Sequence, residues 1–345
     1  MAAPALERQG RRPYRERGMA VKPFPVLFIT ASRIGDAVLS SGLIKTLVDE
    51  VPTARFTIVA SALTAPLFAH TPGLEAVIVM DKTPGAGHWF GLWRKVRKRR
   101  WSLIVDLRGS AISGFLRRRR RAVHTASGER AHKVIQAARL LNLGDRPPAP
   151  FLFTTPGIEA AAARLTTGRA PILAMAPAAH WIGKSWPAER YGLVARQLLG
   201  PGGALEGGRL MVLGGSADQG AAEPVKAAVP RSRCIDMVGR HDLLTCFAAL
   251  RHVRLFIGAD SGLMHLAAAA DAPTLGLFGP SDEHLYAPWG SAARSVRGAR
   301  TFEEFRLVDP ALDQQICHMM ELSASSVLAA AERLLDDTEP EPPHA

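Results

Sequence analysis

The chain has 345 residues, which exceeds the usual size of one domain, about 100–200 residues, and therefore predicts two separately packed domains. Hydrophobic residues make up 47% of the chain and charged residues 21%, and no stretch approaches the roughly 18 consecutive apolar residues that a membrane-spanning helix needs. The composition thus excludes the disordered and integral membrane classes.

Positive charge is concentrated in the first half of the chain. The net charge is +12, but residues 1–165 carry 27 Lys and Arg against 11 Asp and Glu, whereas residues 166–345 carry 16 against 20. A basic field of this kind attracts phosphate groups, whether of nucleic acid, anionic lipid or an acidic substrate. The two halves are therefore expected to face different partners.

Cysteine usage and the start of the chain both bear on location. Cys234, Cys246 and Cys317 show no CxxC spacing, which is typical of a reducing cytosol and predicts neither a disulfide framework nor a zinc site. Met1 to Pro25 is basic but lacks a following apolar secretory segment. We expect a cytoplasmic protein, with Met19 as an alternative start.

The first half alternates short aliphatic runs with longer amphipathic segments, as parallel βαβ units do. The strands predicted here are Val26–Thr30, Arg55–Ala60, Ala76–Met80 and Leu103–Asp106. The predicted helices are Ala37–Asp49, His88–Lys98 and Arg130–Leu143. Four prolines between Asp145 and Pro156 favour an extended connector, and a domain boundary is expected near it.

The second half repeats the alternation of strand and helix. Its predicted strands are Ile172–Ala176, Arg209–Leu213, Val253–Ile257 and Pro273–Phe278. Its predicted helices are one from Pro187, Gly220–Ala228, Leu263–Ala270 and Ser323–Leu335. The pattern indicates an α/β protein with a basic arm (1–22), two doubly wound parallel-sheet domains (23–168 and 169–322), and a last helix with an acidic tail (323–345). Ligands of such sheets bind at the carboxyl ends of the strands.

The first strand runs into a turn that ends in Gly35 and Asp36 and precedes a helix. A carboxylate there can accept a helix N–H, so Asp36 can be a capping residue. It can also be a general base that deprotonates a sugar hydroxyl at the mouth of a cleft. The residues leave both interpretations open.

The segment Ala178–Ser185 follows the first strand of the second half and resembles a P-loop, but it lacks the first glycine. Lys184 lies just before Ser185 and Pro187, which can cap and open a helix. A phosphate can then meet an ammonium group and free helix N–H groups together. An ordinary exposed lysine and a P-loop-like NTPase are the alternatives.

A third turn between strand and helix carries the densest set of polar residues. Asp260 and Ser261 end a strand, Gly262 opens a helix, and His265 lies in its first turn. Backbone N–H groups at such a turn can approach an anion, whereas His265 can equally be a packed core histidine. The next strand ends at Gly279, which is aimed at the same sheet edge. The sequence has no DxD pair to hold a divalent ion against a diphosphate.

Two dense basic runs, Arg94–Arg100 and Arg117–Arg121, are predicted to be exposed. They can form a solvated face, a docking surface for anionic lipid or a phosphorylated acceptor, or a nucleic-acid surface. No RNA- or DNA-binding motif supports the last of these.

From Val26 to Leu335 the chain resembles glycosyltransferase family 9, which contains the ADP-heptose:lipopolysaccharide heptosyltransferases. The segments that carry the resemblance are RIGDAVLS, WSLIVDLRGS, GERAHKVIQAARLLNLG, PAAHWIGKSWPAERY, MVLGGSADQG and GADSGLMHLAAAADAPTLGLFGPSD. Their order and spacing match the family along nearly the whole chain.

The resemblance implies a GT-B architecture, in which two Rossmann-like domains face each other across a cleft, with the acceptor on the N-terminal side, the nucleotide sugar on the C-terminal side and a final helix that crosses back. It also implies an inverting transfer without a metal or other cofactor. Asp36 is then the catalytic base. The donor-binding residues are Lys184, Asp260, Ser261, Gly262, His265 and Gly279. The candidates for acceptor binding or membrane docking are Arg33, Arg117, Arg118, Arg119 and Arg120.

The function predicted from the sequence is transfer of heptose from ADP-heptose to a lipid-linked acidic glycan of the lipopolysaccharide core. The enzyme is expected on the cytoplasmic face of the inner membrane, held peripherally by the anionic surface and without a nucleic-acid partner. The alternatives are another nucleotide sugar or acceptor in the same family, a P-loop-like NTPase, and a basic nucleic-acid-binding protein.

Overall fold

A computed structural model describes residues 22–81, 87–125, 130–312 and 314–339. The predicted arm with its alternative start at Met19, apart from Lys22, and the tail from residue 340 lie outside these ranges.

The first half of the chain forms one five-stranded parallel sheet. Its strands are β1 Phe24–Ile29, β2 Ala54–Ala60, β3 Leu74–Val79, β4 Trp101–Asp106 and β5 Arg118–Val123. Its helices are α1 Ile34–Leu39, α2 Gly42–Glu50, α3 Gly87–Val96, α4 Lys133–Arg139 and α5 Pro156–Leu165. The strand order is β3-β2-β1-β4-β5, with every pairing parallel.

The second half forms a six-stranded parallel sheet. Its strands are β6 Ile172–Ala176, β7 Arg209–Val212, β8 Cys234–Asp236, β9 Leu255–Ala259, β10 Thr274–Phe278 and β11 Ala293–Arg297. Its helices are α6 Ala188–Leu199, α7 Gln219–Lys226, α8 Leu243–Leu250, α9 Gly262–Ala269, α10 Glu283–Tyr286, α11 Phe302–Val308 and α12 Ala324–Asp337. The order is β11-β10-β9-β6-β7-β8, again entirely parallel.

Both sheets are doubly wound, as predicted. The strand order reverses between β1 and β4 in the first sheet and between β6 and β9 in the second. A crevice for ligands forms outside the carboxyl ends of the strands at such a switch point. The turns after β1, β6 and β9 therefore occupy the positions where the fold itself favours a site.

The two halves share a core. One continuous cluster of buried apolar side chains includes Val26 and Phe28 of β1 and Phe256 of β9. Helix α5 packs against α8, and α1 packs against α9, so that helices from both halves lie between the two sheets. The facing edges of the sheets are consequently held at a defined separation.

Several elements differ from the prediction. The predicted helix Ala37–Asp49 is two helices, because the Ser41 hydroxyl donates to the Val38 carbonyl and accepts from the Phe151 amide at the break. The run Arg117–Arg121 lies largely in the edge strand β5, where arginines oppose pairing with another chain. Elements β5, α5, β8, α8, α10, β11 and α11 were not predicted from the sequence.

The final helix does not cross back to the first sheet, so that expectation was wrong. Val327, Ala331, Leu334 and Leu335 of α12 are buried in the core of the second sheet. The apolar face of α12 therefore packs against α6 and the strands of the second half.

Candidate active site

Asp36 lies in the first turn of helix α1, at the carboxyl end of β1. The residue that caps this helix is Arg33, so the interpretation of Asp36 as the N-cap was wrong. Within the described residues the Asp36 carboxylate makes no hydrogen bond. It is therefore a partly exposed carboxylate whose oxygens are available to a ligand.

The turns after β6 and β9 meet at the switch point of the second sheet. Lys184 ends a short 3-10 turn, Ile182–Lys184, and its Nζ lies 2.6 Å from Asp260 Oδ2. The Asp260 side chain is 7% exposed and that of Lys184 is 31% exposed. A largely buried carboxylate thus fixes an ammonium group that still reaches solvent.

His265 approaches the other oxygen of the same carboxylate. Its Nε2 is 3.5 Å from Asp260 Oδ1, and its Nδ1 is buried without a partner among the described residues. Burial disfavours the charged carboxylate, but His265 and Lys184 outweigh that effect and hold the pKa of Asp260 well below its usual range. Asp260 is accordingly ionised and positions both Lys184 and His265.

Ser261 and Gly262 form the start of helix α9. Ser261 is the N-cap, and its hydroxyl accepts from the Met264 amide at 3.5 Å. The amides of the first residues of a helix have no acceptor within that helix, and Gly262 and Leu263 occupy these positions. The result is a set of N–H donors beside Lys184, which suits an anionic group.

Asp36 and the turn after β9 come together because two glycines allow close packing. A Cβ on Gly35 would lie 2.8 Å from His265 Cδ2, and a Cβ on Gly262 would lie 2.6 Å from Ile34 Cγ2. Real side chains do not tolerate such distances. Glycine at both positions lets the N-termini of α1 and α9 meet, which brings Asp36 beside the Asp260 cluster.

Tyr286, which the sequence analysis did not single out, lies close enough to Asp36 and Asp260 to feel their charges. Its ring centroid is 6.4 Å from that of His265. Burial raises the pKa of Tyr286 to about 12, helped by the charges of Asp36 and Asp260, while Arg33 acts in the opposite direction. Tyr286 is therefore a neutral phenol that lies within the electrostatic field of Asp36 and Asp260. The sequence signal that could have indicated Tyr286 is its position shortly after Gly279, where the strand β10 ends and the chain reaches the same sheet edge.

Gly279 has a packing role. A Cβ on this residue would lie 2.3 Å from Met319 Sδ, and the Gly279 carbonyl accepts from Arg297 at 3.0 Å. These contacts explain why residue 279 is a glycine without requiring that it bind the donor.

The candidate arginines divide into two places. Arg33 is exposed beside Asp36, at the carboxyl edge of the first sheet. The two basic runs instead meet at the amino end of β4, where the Trp101 amide donates to the Arg117 carbonyl and Arg99 lies 4.9 Å from the Trp101 ring. Strand β4 has six residues and so separates the two places by about 20 Å. Arg117–Arg120 are not next to Asp36.

The described part of the chain has neither a metal cluster nor a membrane-spanning helix. Among the described residues, no group of three or more His, Cys, Asp and Glu side chains is arranged to hold a metal ion. In the same part of the chain, no helix is long and apolar enough to cross a membrane.

Two doubly wound sheets that face each other across a cleft, with a free carboxylate on one side and an anion-binding turn on the other, define the class of GT-B glycosyltransferases. The family model described as "Glycosyltransferase family 9 (heptosyltransferase)" matches residues 129–311, more than half of the chain. The chain belongs to glycosyltransferase family 9, and it is a glycosyltransferase.

Named relatives agree with this assignment. The chain is 25% identical over 323 residues to lipopolysaccharide heptosyltransferase 2 of Salmonella typhimurium, a match that covers 83% of this chain and 91% of that protein. The solved structure of ADP-heptose lipopolysaccharide heptosyltransferase II of Escherichia coli superposes with a TM-score of 0.72 at 22% identity, covering 92% of this chain and 100% of that one. An Escherichia coli heptosyltransferase with ADP gives 0.65 at 16% identity, covering 90% and 100%. These structural matches support the GT-B fold.

The Lys184–Asp260 pair leads to a prediction about stability. Lys184→Ala should lower the free energy of unfolding by about 1–2 kcal/mol at pH 7, because it leaves a buried carboxylate without its cation. The difference should shrink as the pH falls below about 3.9, the ordinary Asp value, since the stabilisation from a depressed native pKa is complete only above that value and is lost progressively below it. Urea unfolding at a series of pH values measures this.

Lys45→Ala is the control, because Lys45 pairs with Asp49 on the exposed face of α2 and should contribute less than about 0.5 kcal/mol. An equal loss for both variants at pH 7, or a loss for Lys184→Ala that is constant down to pH 3, would contradict the buried ion pair.

Proposed function

We propose that the protein transfers heptose from ADP-heptose to an acceptor sugar of the lipopolysaccharide core, with inversion at the anomeric carbon and without a metal ion. The observation that carries this proposal is the meeting of Asp36, from the first half, with the Lys184–Asp260–His265 cluster of the second half. The names of the relatives support the choice of acceptor, and the ADP that accompanies one matching heptosyltransferase structure supports the choice of donor.

The second half, in this proposal, binds the donor. The diphosphate lies against Lys184 and the amides of Gly262 and Leu263 at the start of α9. Asp260 is a positioning residue, because it holds Lys184 and His265 rather than the anion itself. Negative charge builds up on the diphosphate as it leaves, and fixed donors stabilise such charge best in a closed cleft. A cation and amides here take the place that a divalent ion occupies in other transferases.

The first half presents the acceptor hydroxyl to Asp36. Asp36 takes the hydroxyl proton while the oxygen attacks the anomeric carbon of heptose, and the bond from that carbon to the diphosphate oxygen breaks. One displacement on the face opposite the leaving group inverts the configuration. Arg33, exposed beside Asp36, is placed to bind an acidic group of the acceptor.

The basic runs serve a different purpose in this proposal, which is docking on the anionic cytoplasmic face of the inner membrane. Both runs meet near Trp101, about 20 Å from the base, so they do not bind the reacting sugar. Phe115, which precedes Arg117 by two residues, is 78% exposed. An exposed aromatic ring beside arginines suits the interface of an anionic bilayer.

The first prediction from this proposal concerns Asp36. Asp36→Asn should lower kcat by about 10²–10⁴, the usual contribution of a general base, while the affinity for ADP changes less than about twofold. Asp36 caps no helix in the structure, so the melting temperature should stay within about 1 °C. Rates near those of the wild type would remove the base assignment.

The second prediction concerns the donor site without metal. Calorimetric titration with ADP in EDTA should show binding to the wild type, and Lys184→Ala should weaken it about tenfold or more, as expected for loss of a charge-assisted hydrogen bond. Lys226→Ala is a matched control, because Lys226 also pairs with acidic residues of the second half but lies on α7. ADP binding that appears only after magnesium is added would contradict the proposal of a metal-free donor site.

The third prediction concerns the docking surface. Replacing Arg117, Arg119 and Arg120 by Ser should reduce sedimentation with vesicles of anionic phospholipid, since each cation near such a surface contributes about 1 kcal/mol. Arg118 is kept, because its guanidinium donates to the carbonyls of Gly114 and Leu116. Transfer to a soluble acceptor fragment should be unaffected.

The control for this experiment removes the same charge from the second half, by replacing Arg231, Arg306 and Arg333, all exposed, with Ser. If the two triple variants bound vesicles equally at low salt, the basic runs would be a solvated face and the membrane part of the proposal would fall.

A further inference from the structure

The segment that leads into α4 belongs to the first half of the chain, but its side chains reach the second half. Arg130 Nε donates to Asp282 Oδ2 at 2.9 Å, and its terminal nitrogen donates to Glu303. The Asp282 side chain is 5% exposed, and its other oxygen accepts from the His284 amide at the start of α10. Arg130 therefore binds the Asp282 carboxylate, whose position is also fixed by the His284 amide.

His132 makes a second bridge between the same two segments. Its Nδ1 accepts from the Val134 amide at 3.2 Å and so caps α4. Its Nε2 lies 2.9 Å from the Ala287 carbonyl, which can only accept, so Nε2 must carry a hydrogen. The ring also packs against Trp289, with centroids 4.8 Å apart. Both hydrogen bonds exist together only in the neutral imidazole with its proton on Nε2.

The loop held in this way carries a residue of the proposed active site. Tyr286 lies between Asp282 and Ala287, faces His265, and has Lys133 Nζ 5.7 Å from its ring centroid. The donor-binding groups all belong to the second half, whereas Asp36 belongs to the first. A link between residues 130–133 and 282–289 therefore fixes the base relative to the donor without touching either.

We propose that Arg130 and His132 are positioning residues that form an interdomain clasp with Asp282, Ala287 and Glu303, and that the clasp keeps the cleft closed for transfer only while His132 is neutral. This inference rests on the proposed function in one respect, since it takes Asp36 and the donor turn as the two parts that must be brought together. The contacts of the clasp itself are independent of the sugar, the nucleotide and the acceptor.

Protonation of His132 removes one of its two hydrogen bonds, the one that fixes the ring to the start of α4. A second proton would lie on Nδ1 and face the Val134 N–H, so the cap of α4 would be lost. Burial lowers the pKa of His132, the neighbouring His265 and Lys133 act in the same direction, and the bond to Ala287 opposes them only in part. The clasp is therefore at full strength above the ordinary histidine value of about 6.5 and weakens as the pH falls below it. Arg130 stays charged throughout, because its bonds with Asp282 and Glu303 raise its pKa.

Two variants of His132 separate the clasp from a merely structural role. His132→Asn keeps an acceptor for the α4 cap but is too short to reach Ala287, whereas His132→Gln carries an N–H donor at the position of Nε2. At pH 8, His132→Asn and Arg130→Gln should each lower kcat about fivefold to tenfold, the effect of one lost hydrogen bond. His132→Gln should recover most of the wild-type rate. The affinity for ADP should stay within about twofold, because the donor site lies in one half.

The pH profile provides the second readout. The ratio of the wild-type kcat to that of His132→Gln should fall severalfold between pH 8 and pH 5.5, because only the wild type has a titratable clasp. Arg294→Gln is the control, since Arg294 is 49% exposed and pairs with Asp337 within the second half. It should change neither kcat nor its pH dependence. A constant ratio, or equal losses for Arg294→Gln and Arg130→Gln, would overturn the clasp.

Small-angle X-ray scattering tests the clasp apart from the reaction. With ADP bound, the wild type should expand between pH 8 and pH 5.5, whereas His132→Asn and Arg130→Gln should already be expanded at pH 8. This holds even if the transferred sugar is not heptose, so failure of the proposed function would leave the scattering result intact. Identical scattering curves for all forms at both pH values would refute the inference.

Discussion

The close approach of helices α1 and α9 is the constraint on which the proposed active site depends. Their N-termini meet because Gly35 and Gly262 leave room for His265 and Ile34. A helix N-terminus projects free N–H groups and tolerates negative charge, so two of them pointed into one cleft suit an anionic ligand and the acidic side chain of Asp36. The remaining architecture, with the shared core around α5 and α8, holds these two ends at that distance.

The charged residues of the molecule fall into two groups, one in the cleft and one at the surface. Fixed charge inside the cleft is nearly balanced, because Asp260 is matched by Lys184 and lies close to His265. The two dense basic runs of the first half lie elsewhere, and they meet at the amino end of β4. An excess of charge at the surface acts through its long-range field, whereas a balanced pair in the cleft acts by orientation. The two sets of cations therefore act in physically different ways.

The sequence predicted most of this arrangement, for a physical reason. Strands of parallel sheets are buried on both faces, so β1, β6 and β9 appear as continuous apolar runs, and the turns after them can be located. Asp36, Lys184 and Asp260 were found in this way. Strand β5 was missed because four of its six residues are arginine, and edge strands need no apolar pattern.

Contacts between distant segments could not be predicted in the same way. Arg130 and Asp282 are 152 residues apart, and no periodicity relates them. The prediction that α12 crosses back to the first half was wrong for a similar reason, since an apolar stripe indicates that a helix is covered but not by which sheet. The position of Tyr286 could not be predicted either, because the residues around it come from α1, α9 and the loop before α4, which are far apart in the sequence.

The central claim is that both halves complete one site, in which Asp36 directs a single displacement against a diphosphate held by Lys184 and the α9 turn. The anomeric configuration of the product tests it most directly. Nuclear magnetic resonance of the disaccharide formed from ADP-heptose in EDTA should show the configuration opposite to that of the donor. Retention of configuration would require a second displacement and would contradict the account.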